Sequence, residues 1–288
     1  MMKKTILLLS AVLALAACAP KEQEQKVMAR AVPERADDFV WENDLVCYRA
    51  YGEALEAETL SPGFDVWVKM PGKLVADSWY AAAQEDPEYY HHNHGEGKDC
   101  YKVGVSLGAG ASAALAGGKF LFPATNWRNC EVLEQSGSEV VFVLNYPEWE
   151  AEGMTLALSK KITVTEGTRF CKCEDCWTFS GESEELTVCA GTVRHDIADE
   201  WAGADRFAIW EPASDQSKEA EEGMIGLAVY MPGAELVTVN EASDHSVCCK
   251  TVRSGETLTY WFGSCWSKGN IKSADEWFAC IKKTFNLK

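Results

Sequence analysis

Residues 89 to 104 read YYHHNHGEGKDCYKVG, and three of the chain's five histidines fall within four positions there. Glu96, Lys98, Asp99, Tyr101 and Lys102 follow, broken by Gly95 and Gly97. Histidine titrates near neutrality, at about pH 6.5 when unperturbed, so it can both take and give a proton. A Tyr or Glu set beside it can serve as its partner in general acid–base catalysis. A second chemistry is metal binding. His92 and His94 share a face if the segment is extended, and Glu96 or Asp99 could complete a divalent site. A third possibility is a polar loop whose histidines bond only to backbone. Acid–base work fits the segment best. His92, His94, Tyr101 and Glu96 are therefore the catalytic candidates, with no cofactor expected; a divalent metal at His92 and His94 is the alternative. Gly95 and Gly97 permit a bent backbone close to a ligand.

Other groups could join this segment. Asn126-Trp127-Arg128 offers a planar guanidinium that fits a carboxylate and a flat indole face for a sugar ring. Arg194-His195-Asp196 places a further histidine beside an acid that could orient it. Asp99, Lys102, Asn126, Trp127, Arg128 and His195 are accordingly the substrate-binding candidates. Trp79, Trp149, Trp201 and Trp266 are stacking candidates, although most of the eleven Trp residues must be core. Gly108-Ala109-Gly110-Ala111-Ser112-Ala113 imitates a dinucleotide-binding loop, but that motif needs a βαβ unit. Here Gly117-Gly118 stops any helix and the surroundings are β-rich. These glycines are expected to allow close backbone packing.

The elements that must position these residues read mostly as strands. Phe64 to Lys69 alternates and stops at Pro71-Gly72. Val140–Leu144, Leu156–Val164, Leu186–Ala190, Phe207–Trp210, Met224–Tyr230, Leu236–Val239, Val247–Val252 and Leu258–Phe262 are further β-rich runs. Such runs, separated by Gly, Pro, Asn and Ser, predict an all-β sandwich or barrel. Two short helices are expected: residues 74 to 85, and a C-terminal one over Ser273 to Phe285. In the latter Ser273 can cap, Glu276 lies three residues on, and Trp277, Cys280 and Ile281 share a face.

Lys3 and Lys4, an apolar run over residues 5 to 17 and Leu15-Ala16-Ala17-Cys18 have the form of a secretory signal. The cysteine after the small residues resembles a lipoprotein signal. Residues 1–17 are thus expected to be removed and Cys18 to be lipidated, anchoring the chain to a membrane without a transmembrane helix. Residues 18–38 read as a tether, and 39–288 as a single β-sandwich domain. The formal charge is −17, and removal of Lys3 and Lys4 takes it to −19. With no basic cluster, nucleic-acid binding is not expected, and an anionic substrate needs a local cationic pocket. Oligomeric state is not legible. Of the twelve cysteines, eleven remain after Cys18, an odd number for an intramolecular disulfide framework. Cys171-x-Cys173-x-x-Cys176 has no second short-spaced pair to complete a zinc site. Buried cysteines that act as small hydrophobes are the favoured reading.

Trp41-Glu42-Asn43-Asp44, Tyr48-Arg49-Ala50-Tyr51-Gly52, Asp65-Val66-Trp67-Val68-Lys69, the HGEGKDCYKVG run at 94 to 104, Asn126-Trp127-Arg128 and Tyr260 to Trp266 occur in this order. Over roughly residues 35 to 285 the chain resembles the bacterial family called domain of unknown function 4861. The resemblance implies an exported lipoprotein of Bacteroidota, linked to polysaccharide utilisation. It implies a galactose-mutarotase-like β-supersandwich, in the outer membrane and facing the periplasm or the cell surface. The partner implied is an oligosaccharide or polysaccharide fragment. The lead expectation is β-elimination on uronic-acid-containing oligosaccharides, as a lyase or dehydratase. Arg128 and Lys102 would hold the carboxylate, His92 or His94 would take the proton, Tyr101 would return one, and Glu96 and Asp99 would orient a histidine or bind hydroxyls. The alternatives are a non-catalytic glycan-binding lipoprotein, a glycosidase, and a sugar mutarotase or epimerase.

Overall fold

The computed structural model describes residues 25–213, 222–240 and 244–287. The signal segment, Cys18 and most of the charged stretch 214–222 therefore lie outside the described residues. Strands β1 (Val27–Val32), β2 (Asp38–Asn43), β3 (Cys47–Ala50), β4 (Phe64–Lys69) and β5 (Gly97–Asp99) form one antiparallel sheet in that order, with helix α1 (Ala76–Ala83) between the last two. Next come β6 (Ala109–Ala116), β7 (Lys119–Leu121), β8 (Asn129–Gln135), β9 (Glu139–Ala151), β10 (Met154–Thr165), β11 (Phe170–Ser180) and β12 (Glu185–Val193). They are followed by β13 (Asp199–Gly203), β14 (Arg206–Pro212), β15 (Met224–Tyr230), β16 (Glu235–Asn240), β17 (Asp244–Arg253), β18 (Thr257–Trp266) and helix α2 (Ala274–Thr284). An eight-stranded sheet runs β13-β14-β15-β18-β11-β10-β9-β8, and a second five-stranded sheet runs β16-β17-β12-β6-β7.

The two five-stranded sheets face the eight-stranded one across a shared core. Trp41, Tyr48 and Phe64 of the first sheet meet Phe142, Leu158, Cys173 and Phe262 of the large sheet, and Val188 and Cys248 of the third. A parallel bridge between Phe64 and Gly108 joins the small sheets into one layer. The all-β expectation holds, as does the C-terminal helix, whose Ser273 side chain accepts from the Glu276 backbone N–H. Residues 27 to 38 differ from the tether reading. They form β1 and its turn, with Val27 opposite Asn43 and both Val27 and Val32 fully buried. The strand buries both faces, with Val27 and Ala29 in the main core and Met28 and Val32 under α1, so it carries no apolar–polar alternation to mark it in sequence.

Strand parity accounts for the cysteines. Cys171 and Cys173 point into the core and Cys176 to the opposite face, so the three cannot converge on one ion. Cys189 and Cys249, opposite each other on β12 and β17, form a disulfide. Among the described residues no group of three or more His, Cys, Asp or Glu is placed to hold a metal ion.

Gly110 on β6 shows what the Gly-Ala-Gly-Ala run does. A Cβ there would sit 2.5 Å from Cβ of Phe262, and its φ is +131°. Its bare backbone lets the third sheet close onto the aromatic centre of the core. Gly110→Ala combines overpacking, typically 1–3 kcal/mol, with a backbone region that side chains rarely adopt. A loss of about 3 kcal/mol is expected in urea denaturation; a loss below about 1 kcal/mol contradicts this close-packing role.

Candidate functional site

The histidine segment is a 3-10 turn, Tyr89–His91, followed by bends. It is not a strand, so His92 and His94 do not form the two-ligand face expected of an extended segment. The His94 ring lies flat on Tyr89, with centroids 4.0 Å apart, and its Nε2 is 3.0 Å from the Tyr89 carbonyl. His92 is half-buried at the turn's end, its backbone N–H bonded to the same carbonyl at 3.1 Å. Glu96 pairs at the surface with Lys73 at 2.6 Å. Glu222 holds this segment against the rest of the molecule: the Asn93 side-chain amide and the Lys268 ammonium each donate to it at 3.3 Å, and Lys98 lies 3.7 Å away.

Asn126-Trp127-Arg128 is a clamp on its own chain. The Arg128 fork meets the Glu56 carboxylate with two contacts of 2.8 Å, and Asn126 donates to the Gly52 carbonyl at 2.9 Å. Trp127 is buried with its edge on Phe39. The bidentate geometry suited to a substrate carboxylate is thus used to hold the 3-10 turn Glu53–Ala57. Trp79, Trp149 and Trp266 are buried; Trp201 reaches the surface, packed under Arg206 and Lys282.

Under α1 and the histidine turn lies a charged cluster on the outer face of the first sheet. Period-two alternation puts Asp38, Arg49, Asp65 and Asp99 on that face, while Phe39, Tyr48, Ala50, Phe64 and Val66 point to the core. Arg49 is 2% exposed, and one of its nitrogens donates to Asp65 at 2.6 Å and to Asp99 at 2.7 Å. Asp38 lies 3.8 Å from its other terminal nitrogen and pairs with Arg35 at 2.9 Å. Tyr51, Trp67 and Tyr90 offer ring faces to the same guanidinium. Burial pushes the Asp38 carboxyl up to about 6 against the pull of Arg49. Burial, then the charge of Asp99, does the same to Asp65. Asp99 is also raised, chiefly by burial. His91 sits at the edge with Nδ1 3.7 Å from Asp99; burial and the nearby Arg49 lower its pKa.

A second constellation joins residues far apart in sequence. His195 Nδ1 is 3.2 Å from the carboxylate of Glu211, a residue of β14 with almost no exposure. The His195 backbone N–H also points to Glu211, at 3.3 Å. The other ring nitrogen is 3.0 Å from the Lys102 carbonyl, and the ring stands edge-on to Tyr101 at 5.0 Å. Both partners are acceptors, so both contacts are hydrogen bonds only when the imidazole carries two protons. Tyr101 is buried, and its hydroxyl donates to the Gly108 carbonyl at 3.1 Å. Asp196, the expected orienting acid, is exposed, and Glu211 takes that place. Three of the predicted residues, Tyr101, Lys102 and His195, therefore come together, while the Asn126–Arg128 group is tied to a different part of the chain, the turn that carries Glu56.

The family model described as domain of unknown function (DUF4861) matches residues 14–286. The chain belongs to the DUF4861 family. Uncharacterized protein P7 of Formosa agariphila is 30% identical over 260 residues, which cover 83% of this chain and 62% of that protein. The chain thus spans less than two thirds of the length of this curated relative. Among solved structures, a heparinase III aligns over 87% of this chain and 38% of its own, with 9% identity and a TM-score of 0.43. A GH36 α-galactosidase from Geobacillus stearothermophilus aligns over 83% of this chain and 41% of its own, with 7% identity and a TM-score of 0.37.

In this DUF4861 chain several stretches that carried the family resemblance build the buried cluster. Arg49 comes from the Tyr48–Gly52 motif, Asp65 from Asp65–Lys69 and Asp99 from the HGEGKD run. Charged residues at alternate strand positions usually mean a solvated face. Only the covering of that face by α1, contributed by a different stretch of sequence, makes them a buried site. Glu211 carried a weaker signal, one acid closing the apolar run Phe207–Trp210.

Proposed function

We propose that this protein acts on uronic-acid-containing oligosaccharides by β-elimination, as a lyase or dehydratase, at the surface where Tyr101 and Lys102 meet His195. The observation that carries the reading is the His195–Glu211 pair. A half-buried imidazole is held by a fully buried carboxylate on one side and packed on a tyrosine, beside the exposed Lys102. A fixed histidine with a carboxylate behind it is the arrangement general acid–base catalysis uses. Lys102 supplies a local cation for the uronate in an acidic protein. That charge also stabilises the enolate-like density that develops once the proton beside the carboxylate is removed.

In this reading the Lys102 carbonyl occupies the position on Nε2 that a substrate group takes during turnover. His195 removes the proton next to the carboxylate, the released electron pair forms the C=C bond as the β C–O bond breaks, and the departing oxygen takes its proton from the His195 imidazolium or from water. Glu211 stabilises the imidazolium while it lasts, and Tyr101 fixes the ring. This moves the acid–base role from His92 and His94 to His195, and changes Tyr101 from proton donor to positioning residue, because its hydroxyl is buried on Gly108. A non-catalytic glycan-binding role is favoured by a separate observation: both ring nitrogens of His195 already have acceptors. The chain is further expected to be a lipid-anchored envelope protein through Cys18.

Incubation of the protein with a panel of plant and algal uronate oligosaccharides, followed by mass spectrometry, separates the possibilities. Loss of water, or chain scission giving an unsaturated uronate, supports elimination. Addition of water on scission assigns a glycosidase instead. Binding with unchanged mass assigns the non-catalytic role.

A further inference from the structure

The outer face of the eight-stranded sheet carries a cleft of about 380 Å³ beside the end of α2, within the range of small-ligand clefts, roughly 300–1,000 Å³. It lies on the opposite side of the sheet from Glu211. On β14, Phe207 and Ile209 share the inward face with Glu211 and enter the main core, whereas Ala208 and Trp210 pack outward with α2. The cleft and the His195 site are therefore distinct surfaces.

Its walls follow from strand register. Thr163, Lys172, Trp261 and Tyr230 lie directly opposite one another on successive strands β10, β11, β18 and β15, and form one row across the sheet. All four are partly exposed, on the solvent side of the alternation, and Thr163, Lys172 and Trp261 line the cleft. Trp261 is braced by Tyr230, stacked at 5.8 Å, and by Phe285 edge-on at 5.7 Å. The indole is thus a fixed platform at the edge of the cleft.

The polar groups are hydroxyls in a defined state. Thr165 donates to Glu139 at 3.0 Å and Thr284 to the Cys280 carbonyl at 2.9 Å. Each hydroxyl has spent its single proton within the protein and keeps acceptor capacity for a ligand's hydroxyls. Lys172 gives one of its three N–H donors to Glu174, at 3.0 Å. Charges balance locally: Lys161 and Lys172 both pair with Glu174, and Glu139 offsets the remaining cation.

We infer that this cleft is a second saccharide-binding site, separate from the His195 surface, which takes a neutral pyranose chain rather than a uronate. A braced aromatic face matches the axial C–H side of a ring with equatorial hydroxyls. Acceptor threonines and the lysine donors match the ring's hydroxyls, and the balanced charge gives no preference for an anion. The site would hold a polysaccharide on the protein while the His195 surface meets its uronate residues. The inference stands on the cleft's own lining and does not need the elimination reading.

Calorimetric titration of the full chain with xylohexaose, cellohexaose and an oligogalacturonate hexamer tests it. Wild type is expected to bind at least one neutral hexamer. Trp261→Ala should weaken that binding about tenfold or more, Thr163→Val with Thr165→Val should weaken it severalfold, and His195→Ala should leave it unchanged. Melting temperatures confirm that each variant is folded; the two Thr→Val changes keep the side-chain shape and lie at partly exposed positions, so they remain usable if Trp261→Ala is not. Failure of wild type to bind either neutral hexamer at millimolar concentration overturns the inference. So does neutral binding that survives both the Trp261 and the threonine substitutions, or that is lost in His195→Ala.

Discussion

Replacing Arg49 with Leu is expected to destabilise the protein by about 3–5 kcal/mol, the range seen when one partner of a buried ion pair is removed. Arg49 touches Asp65 and Asp99 directly and lies near Asp38, and all four residues are almost completely buried. The leucine leaves three carboxyls with Arg35 as the cation in contact with one of them. The deficit should depend on pH. Asp38 and Asp65 are held up to about 6 in the folded protein, above the ordinary carboxylate range near 4. Between about pH 4 and 6 the native state keeps protons that the unfolded chain has lost. Stability from these groups therefore falls as pH rises through that window, and the loss is complete above about 6.

His91 works the other way. Burial and Arg49 keep it neutral, so the unfolded chain takes up a proton first and stability falls as pH drops below about 6.5. Two carboxyls outweigh one histidine, so wild-type Tm should be higher near pH 5.5 than at pH 8. Removing Arg49 takes away the charge that favours ionised carboxyls. The Arg49→Leu deficit should therefore be smaller at pH 5 than at pH 8, as measured by urea denaturation at the two values. Equal deficits at both would mean that the carboxyls are not titrating against Arg49.

How much of this was legible in sequence depends on the range of the interaction. Phe64–Lys69 is a strand at the residues its alternation indicated, Met224–Tyr230 at those its β-rich run indicated, and Ser273 caps the C-terminal helix as its spacing predicted. Those signals are local. The Asn126–Arg128 triplet was visible, but its partner Glu56 lies 72 residues from Arg128, and nothing in the triplet separates a substrate carboxylate from an internal one. His92 and His94 were read at a spacing that has meaning only on a strand; the 3-10 turn removes it. The buried aspartates needed knowledge of which strand face α1 covers. His195 was visible, yet its neighbour Asp196 looked like the natural partner. Glu211 displaces it because β14 passes behind the turn after β12, a tertiary fact that no short motif encodes.

The substitution that weighs most on the proposed chemistry is Glu211→Gln, expected to lower turnover of a uronate oligosaccharide by roughly a hundredfold or more, within the range general acid–base groups contribute. Glutamine preserves shape and can still accept from one His195 N–H, so fold and substrate affinity should change little. What disappears is the negative charge that stabilises the imidazolium formed when His195 takes the substrate proton. The loss should therefore appear in kcat far more than in KM. His195→Ala removes the acceptor itself and should cost at least as much. The double variant should be no worse than His195→Ala alone, because residues that act as a unit are not additive. Additive losses would mean that Glu211 acts apart from the histidine. Turnover within a few-fold of wild type in Glu211→Gln would place the proton transfer on another group. The half-buried His91 and His92 are then the next to substitute.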